Sequence, residues 1–222
     1  MNSNNVKIQL PDNKKKLLLH SCCAPCSGDI MLRLKESGID YTVYFYNPNI
    51  HPSKEYIFRK EENMLFAEKN NIPFIDADYN PKQWFNLTKG MEWNPERGTR
   101  CSACFDMRFT STAEYAYKNN FDIFSSTLGI SRWKNFDQIN KSGIYAASKY
   151  KNISYWTFNW RKENGSKRML DVSKHENFYM QEYCGCIYSL RDTNIWRERN
   201  NKPKIVIGKN YYSYSDKKTS DN

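Results

Sequence analysis

Short apolar runs alternate with helix-like patterns along most of this chain. The stretch "KLLLH" (16–20) is brief and apolar, as a buried strand would be. A cysteine-bearing loop and a helix follow, running through about Ser37 and stopped by Gly38. "YTVYFYN" (41–47) is β-branched and aromatic, the composition of a strand. Ser53 is placed to cap a long helix reaching about Asn71, and "IPFIDADY" (72–79) reads as the next strand. A helix from about Cys101 to Asn120 leads into "FDIFSSTL" (121–128), then a helix over about 135–150 and a strand "SYWTFNW" (154–160). From Arg161 the pattern is less regular and predicts helices that close over an edge of the sheet.

Strands alternating with helices predict an α/β fold with a mostly parallel sheet flanked by helices. Residues 1–15 read as a loose basic arm, 16–200 as one catalytic α/β domain, and 201–222 as a polar tail. Ligands of such sheets sit beyond the carboxyl ends of the strands. The loop after the first predicted strand, which holds Cys22, Cys23 and Cys26, occupies that position.

Composition narrows the function classes. No stretch approaches the ~20 apolar residues of a membrane span, and the mean hydropathy is −0.85. The N-terminal "MNSNNVKIQLPDNKKK" lacks an apolar export signal, so the expected setting is the cytoplasm, without membrane association. Structural disulfides are disfavoured there. The formal charge of +10, from 34 Lys and Arg against 24 Asp and Glu, suits a polyanionic partner.

All seven cysteines fall in three clusters: "HSCCAPCSG", "TRCSACFDMR" and "YCGCIYS". Cys101 and Cys104 share a face at the start of a predicted helix, where exposed amides favour thiolate over thiol. That CxxC alone fits a zinc half-site or a redox pair. The adjacent Cys22 and Cys23 diverge in extended backbone, which suits two irons of one polynuclear cluster better than a relaxed disulfide. Two thiolates from the loop and two from the helix would complete a cubane iron–sulfur cluster. Structural zinc needs four ligands, so seven thiols leave three over. The surplus points to a second metal or a redox-active dithiol, with structural zinc and disulfides as the competing readings.

The other polar residues offer less. Ser27 and Asp29 fit the capping of the helix after the first loop, with a metal or proton role open for Asp29. His20 reads as a core histidine, and His51 and His175 as surface residues. Arg100 and Arg108 flank the CxxC, either to hold phosphate or as a solvated helix face. Lys162, Lys167 and Arg168 with Trp156 and Trp160 mix charge and aromatics as RNA-binding surfaces do; core tryptophans beside a solvated loop would look the same.

Together "LLLHSCCAPCS", "RCSACFDMR" and "YCGCIYS" resemble the cobalamin-independent epoxyqueuosine reductases, the QueH family. The connecting segments "FYNPNIHPSKEYIFRK" (45–60), "STLGISRWKN" (126–135) and "NGSKRMLDVSKHENFYMQEYCGC" (164–186) match as well, and the likeness spans roughly residues 16–195. It implies a fold related to adenine-nucleotide-binding (HUP-like) domains. It also implies removal of the epoxide oxygen from epoxyqueuosine at the wobble position of tRNA, the last step to queuosine. The resemblance assigns Cys22, Cys23, Cys101 and Cys104 to a [4Fe–4S] cluster. Catalysis falls to Cys184, Cys186 and Cys26, either around an adjacent mononuclear iron or as a dithiol–disulfide pair.

Arg108, Lys134 and Lys162 are the candidate substrate contacts. Met180 replaces an arginine expected of the family, and Cys26 stands where some relatives carry aspartate. The loop "SGD" lacks the doubled glycine of a pyrophosphate-binding loop, so neither ATP nor cobalamin is expected. The expected partners are epoxyqueuosine-containing tRNA and an external electron donor, ferredoxin or flavodoxin, acting on a monomer. Two rival functions are a zinc-stapled RNA-binding module and a cluster-dependent tRNA thiolase.

Overall fold

The structure is a computed structural model that describes residues 7–209 and 211. Five strands, β1 (Lys16–His20), β2 (Asp40–Phe45), β3 (Phe74–Asp76), β4 (Ile123–Ser126) and β5 (Ser154–Tyr155), form one sheet in the order β3-β2-β1-β4-β5. Every pairing is parallel, with Leu18 opposite Thr42 on one side and Phe124 on the other. The predicted α/β class therefore holds, and the order is that of a doubly wound nucleotide-binding sheet. Strand β1 lies at its centre and is apolar on both faces, which is why it reads as an unbroken run rather than an alternation.

Among the described residues, seven helices accompany the sheet: α1 (Ala24–Glu36), α2 (Ser53–Lys69), α3 (Pro81–Leu87), α4 (Thr99–Lys118), α5 (Phe136–Ala147), α6 (Gly165–His175) and α7 (Ile187–Arg199). Leu17 and Leu19 point to a layer with Ile30, Met31, Val43 and Phe66 from β2, α1 and α2. Leu18 points the other way, to Tyr44, Phe109, Phe124 and Ile139 from β2, α4, β4 and α5. The alternation of side chains along one strand thus separates two helical layers.

Several expectations are corrected here. The strands predicted at 72–79 and 154–160 contract to three and two residues, and 127–130 forms a 3₁₀ turn instead of ending a strand. Helix α3, absent from the sequence reading, carries the buried Trp84. Ser53 is the first residue of α2, not its cap: Pro52 caps it and no side-chain hydrogen bond closes that end. The 1–15 arm is not wholly loose, because Ile8 is buried and its N–H donates to Ser37 Oγ at 3.1 Å; residues 1–6 lie outside the described part. In the predicted tail, Tyr211 stacks on Phe58 at 4.0 Å, and the remainder from 212 is likewise outside it.

Candidate metal centre

The first cysteine loop begins where β1 ends. Ser21 is clamped by polar partners from three elements. Its carbonyl accepts from Asn47 Nδ2 at 2.8 Å, and its hydroxyl meets Ser27 Oγ at 2.5 Å and Asn63 at 2.9 Å. Cys23 then occupies the N-cap of α1 in extended conformation, with Pro25 in the first turn. Ser27 does not cap the helix; its hydroxyl donates to the Cys23 carbonyl at 2.7 Å. Cys22 and Cys23 sulfurs lie 3.6 Å apart, and the Sγ atoms of Cys22, Cys23 and Cys26 all lie within 4.8 Å of one another.

Within this trio the hydrogen bonds from Cys23 and Cys26 hold Cys22 well below the ordinary thiol range. Those same bonds to Cys22 push Cys23 and Cys26 up, so one thiolate forms at the expense of its neighbours. His20, beneath the loop, is the buried core histidine expected. Its Nδ1 meets Ser126 Oγ at 2.9 Å, and burial and then Arg108 lower its pKa to about 3.

The other four thiols act on one another through the electric field, but among the described residues they do not form a second compact group like the trio. Cys101 and Cys104 lie in the first turns of α4, as the CxxC predicts. Burial overrides the helix amides, raising Cys101 to about 11 and Cys104 in the same direction, although Arg97 N–H donates to Cys101 Sγ at 3.3 Å. Cys186 is the N-cap of α7, its sulfur accepting from Ser189 N–H at 3.3 Å, and burial pushes it up to about 12. Cys184 raises Cys101, Cys104 and Cys186 through the field between them. Lys134 Nζ donates to Cys184 Sγ at 2.6 Å. Burial alone would lower Lys134, but the Cys184 sulfur outweighs it and the net shift is upward.

The "CGC" spacing has a backbone reason. Gly185 adopts φ +132°, and a Cβ there would lie 3.1 Å from Arg59 Nη1 and 3.2 Å from Ile50 Cγ1. The glycine lets its carbonyl accept from His51 N–H at 2.7 Å. Arg59, on α2, reaches across to the Tyr183 and Cys184 carbonyls at 3.2 and 3.0 Å while paired to Glu55 at 2.7 Å. The third cysteine segment is therefore fixed by residues more than 120 positions away.

All seven cysteines are free thiols, so no cross-link competes for them. Buried guanidinium groups surround them. Arg59 acts on Cys26, Arg108 on Cys22 and Cys104, and Arg100 on Cys186. Arg100 is wholly buried, yet its Nε and Nη2 have no hydrogen-bond partner among the described residues. Orphaned buried cations beside clustered sulfurs are what an anionic metal–thiolate group would compensate, and the donor set fits one. A metal is thus chemically accommodated at the Cys22–Cys23–Cys26 group.

The remaining predicted residues are distributed unevenly. Arg100 and Arg108 are both buried, so neither is a solvated helix face; Arg108 donates to Asn47 Oδ1 at 2.5 Å. Lys134 lies in the site and Lys162 is exposed in the loop before α6. Trp156 and Trp160 belong to the core, which corrects the RNA-surface reading of that segment. Asp29 is buried in α1 and pairs with Arg168 at 3.1 Å, a link between helices and not a cap. His175 is exposed as expected, whereas His51 is buried between Trp84 and Phe85. Sequence reasoning passed over Arg59, Glu55 and Trp84; only the basic residue inside "YIFRK", a segment flanked by aromatics, offered a signal.

Comparison with known proteins gives the family. The family model described as epoxyqueuosine reductase QueH matches residues 17–192. A protein of that name from Haemophilus influenzae is 63% identical over 207 residues, covering 93% of this chain and 84% of its own length. Another, from Acinetobacter baylyi, is 62% identical over 216 residues, covering 97% and 99%. A solved structure described as a predicted subunit of tRNA methyltransferase from Methanocaldococcus jannaschii superimposes with a TM-score of 0.49 at 14% identity, covering 90% of this chain and 94% of the other. The match runs from the central strand through the third cysteine cluster into α7, and by it the chain belongs to the epoxyqueuosine reductase QueH family.

Proposed function

We propose that this protein reduces epoxyqueuosine to queuosine at the wobble position of tRNA. The observation that carries the proposal is the group of three thiols, Cys22, Cys23 and Cys26, beyond the carboxyl end of β1 in a chain of this family, with Arg108 acting on both Cys22 and Cys104. The reaction removes the epoxide oxygen with two electrons and two protons, leaving an alkene and water. Cys22, Cys23, Cys101 and Cys104 are the proposed ligands of a [4Fe–4S] cluster, which when bound supplies single electrons. In support, Cys101 packs against the core that holds Cys22 and Cys23, and Arg108 acts on both Cys22 and Cys104.

The chain's own groups do the rest. Cys184 and Cys186, with Cys26, are assigned the second electron-transfer role, by metal or by dithiol; in support, Arg59 acts on Cys26 and holds the Cys184 carbonyl at 3.0 Å. Lys134 sits on Cys184 and supplies a proton at the sulfur side of the site. Arg59 fixes the backbone that carries the CGC pair. The electron donor is proposed to be ferredoxin or flavodoxin.

Anaerobic incubation with epoxyqueuosine-containing tRNA and a low-potential reductant, followed by nucleoside mass analysis, tests the reading. Loss of one oxygen without added ATP or cobalamin supports it. ATP-dependent sulfur gain would make the protein a thiolase, and tight tRNA binding without conversion, with one zinc bound, would make it an RNA-binding module.

A further inference from the structure

Two indoles stand out on the surface, and Trp133 lines the same cleft as Cys101. Trp93 and Trp133 are 79% and 70% exposed, the highest values among the large apolar side chains. Their loops are nonetheless held firmly. Arg161 Nη2 donates to the Ser131 and Lys134 carbonyls at 2.5 and 2.9 Å, and Arg97 Nε to the Trp133 carbonyl at 3.0 Å. On the other loop, Arg100 Nη1 bonds the Met91 and Glu92 carbonyls at 3.2 and 3.0 Å, and Arg191 Nη2 bonds that of Glu92 at 2.9 Å. Four arginines therefore fix the backbone of two loops whose indoles remain in solvent. An exposed indole on a fixed backbone presents a stacking face at reduced entropic cost.

The position of these loops gives the occupant. Trp133, Arg97 and Lys134 line a small cleft that Cys101 also lines. Guanidinium groups accompany both indoles, Arg191 at 4.0 Å from the Trp93 ring and Arg132 at 5.9 Å from that of Trp133. Arg97 and Arg132 have no ion-pair partner among the described residues, although Glu96 also lines the cleft. The chain as a whole carries +10. Arg191, beside Trp93, is paired with Asp192 at 2.8 Å, so the unpaired cations are those on the Trp133 side; an exposed aromatic face with such cations beside it matches unpaired, phosphate-linked bases better than an acidic protein.

Resting on the function proposed above, we infer that Trp93 and Trp133 form a stacking clamp for the unpaired anticodon-loop bases on either side of the modified nucleotide. The clamp positions that nucleotide over the cleft that Cys101 and Lys134 line, while Arg97 and Arg132 contact the flanking phosphates. The two tryptophans are binding residues and take no part in the chemistry.

The test uses the anaerobically prepared protein and fluorescence anisotropy with an anticodon stem-loop RNA and a fully paired RNA hairpin of equal length. Trp133→Ala and Trp93→Ala are each expected to weaken stem-loop binding about tenfold, with hairpin binding unchanged. Trp133→Phe and Trp93→Phe should recover most of the loss, because a ring remains. Trp196→Ala is the control: this exposed indole lies ten residues along α7 from Cys186, ~15 Å by helical rise. Stem-loop affinity equal to wild type in both alanine variants overturns the clamp, as does wild-type protein that does not bind the stem-loop. Equal affinity combined with slower reduction by the donor protein would assign the surface to that partner instead. Should wild type fail to convert epoxyqueuosine while the alanine variants still lose affinity, the clamp stands and the reductase reading falls. Conversion by wild type with unchanged affinity in the alanine variants upholds the reductase reading and removes the clamp.

Discussion

Substitution of Arg59 separates the energetic role of its ion pair from its role in placing the CGC pair. Arg59 and Glu55 are 2.7 Å apart with side chains 3% and 0% exposed, and Tyr179 hydroxyl donates to the other Glu55 oxygen at 2.8 Å. Arg59→Met leaves the Glu55 carboxylate buried without its cation, which costs ~3–5 kcal/mol. The double substitution Glu55→Met with Arg59→Met removes both charges, so that penalty vanishes. The Tyr183 and Cys184 carbonyls lose Arg59 in both variants, and the double variant adds only the loss of the carboxylate from the Tyr179 hydroxyl, which still accepts from Gly208 N–H, about 1–3 kcal/mol. Urea unfolding should therefore show the double variant as more stable than the single one. Neither variant holds the Cys184 backbone, so turnover on tRNA should fall about 100-fold in both, as misplacement by an ångström does. Alkylation of Cys184 and Cys186, read by peptide mass analysis of the folded protein, should accelerate in both as well. Restored stability accompanied by restored turnover and unchanged alkylation would refute the positioning role.

Three further outcomes follow from other contacts. Burial lowers His51 to about 4 against an ordinary value of 6.5, with the Pro48 carbonyl opposing the shift; the folded state thus favours the neutral ring. The stability it confers is full above about pH 6.5 and is lost as pH falls toward 4, by at most ~3 kcal/mol, and His51→Phe should flatten that part of the urea-midpoint profile. Gly143→Ala places a methyl 2.5–2.6 Å from the Tyr155 ring and should cost about 1–3 kcal/mol, read as a lower Tm; an unchanged Tm would show that the ring moves freely. Lys134→Met removes the ammonium from Cys184 and should slow single-turnover oxygen loss by about 100-fold, whereas an unaltered rate would exclude proton supply from this side chain.

Much of the architecture was legible because it is written in local pattern. The run Leu17–Leu19 has to be covered on both faces, and "TVYF" suits no other place than a strand, so the parallel sheet and its first loop follow from short stretches. The three cysteine clusters and the helical start at Cys101 are likewise matters of adjacency and i, i+3 spacing. What the chain alone withheld depends on partners far apart in sequence. Glu55 and Arg59 look like a solvated helix turn until α2 packs under residues 179–186, where they become a buried pair. His51 and Arg100 read as surface groups, and only the arrival of α3 and of the third cysteine segment buries them. Trp156 and Trp160 invited an RNA-binding reading, whereas the most exposed indoles among the described residues are those of Trp93 and Trp133, on loops with no periodicity to announce them. The grouping of Cys22, Cys23 and Cys26, with the other four thiols outside it, was also beyond the sequence. It is set by where parallel strands end and which helices lie over them, and chain spacing carries no trace of that geometry.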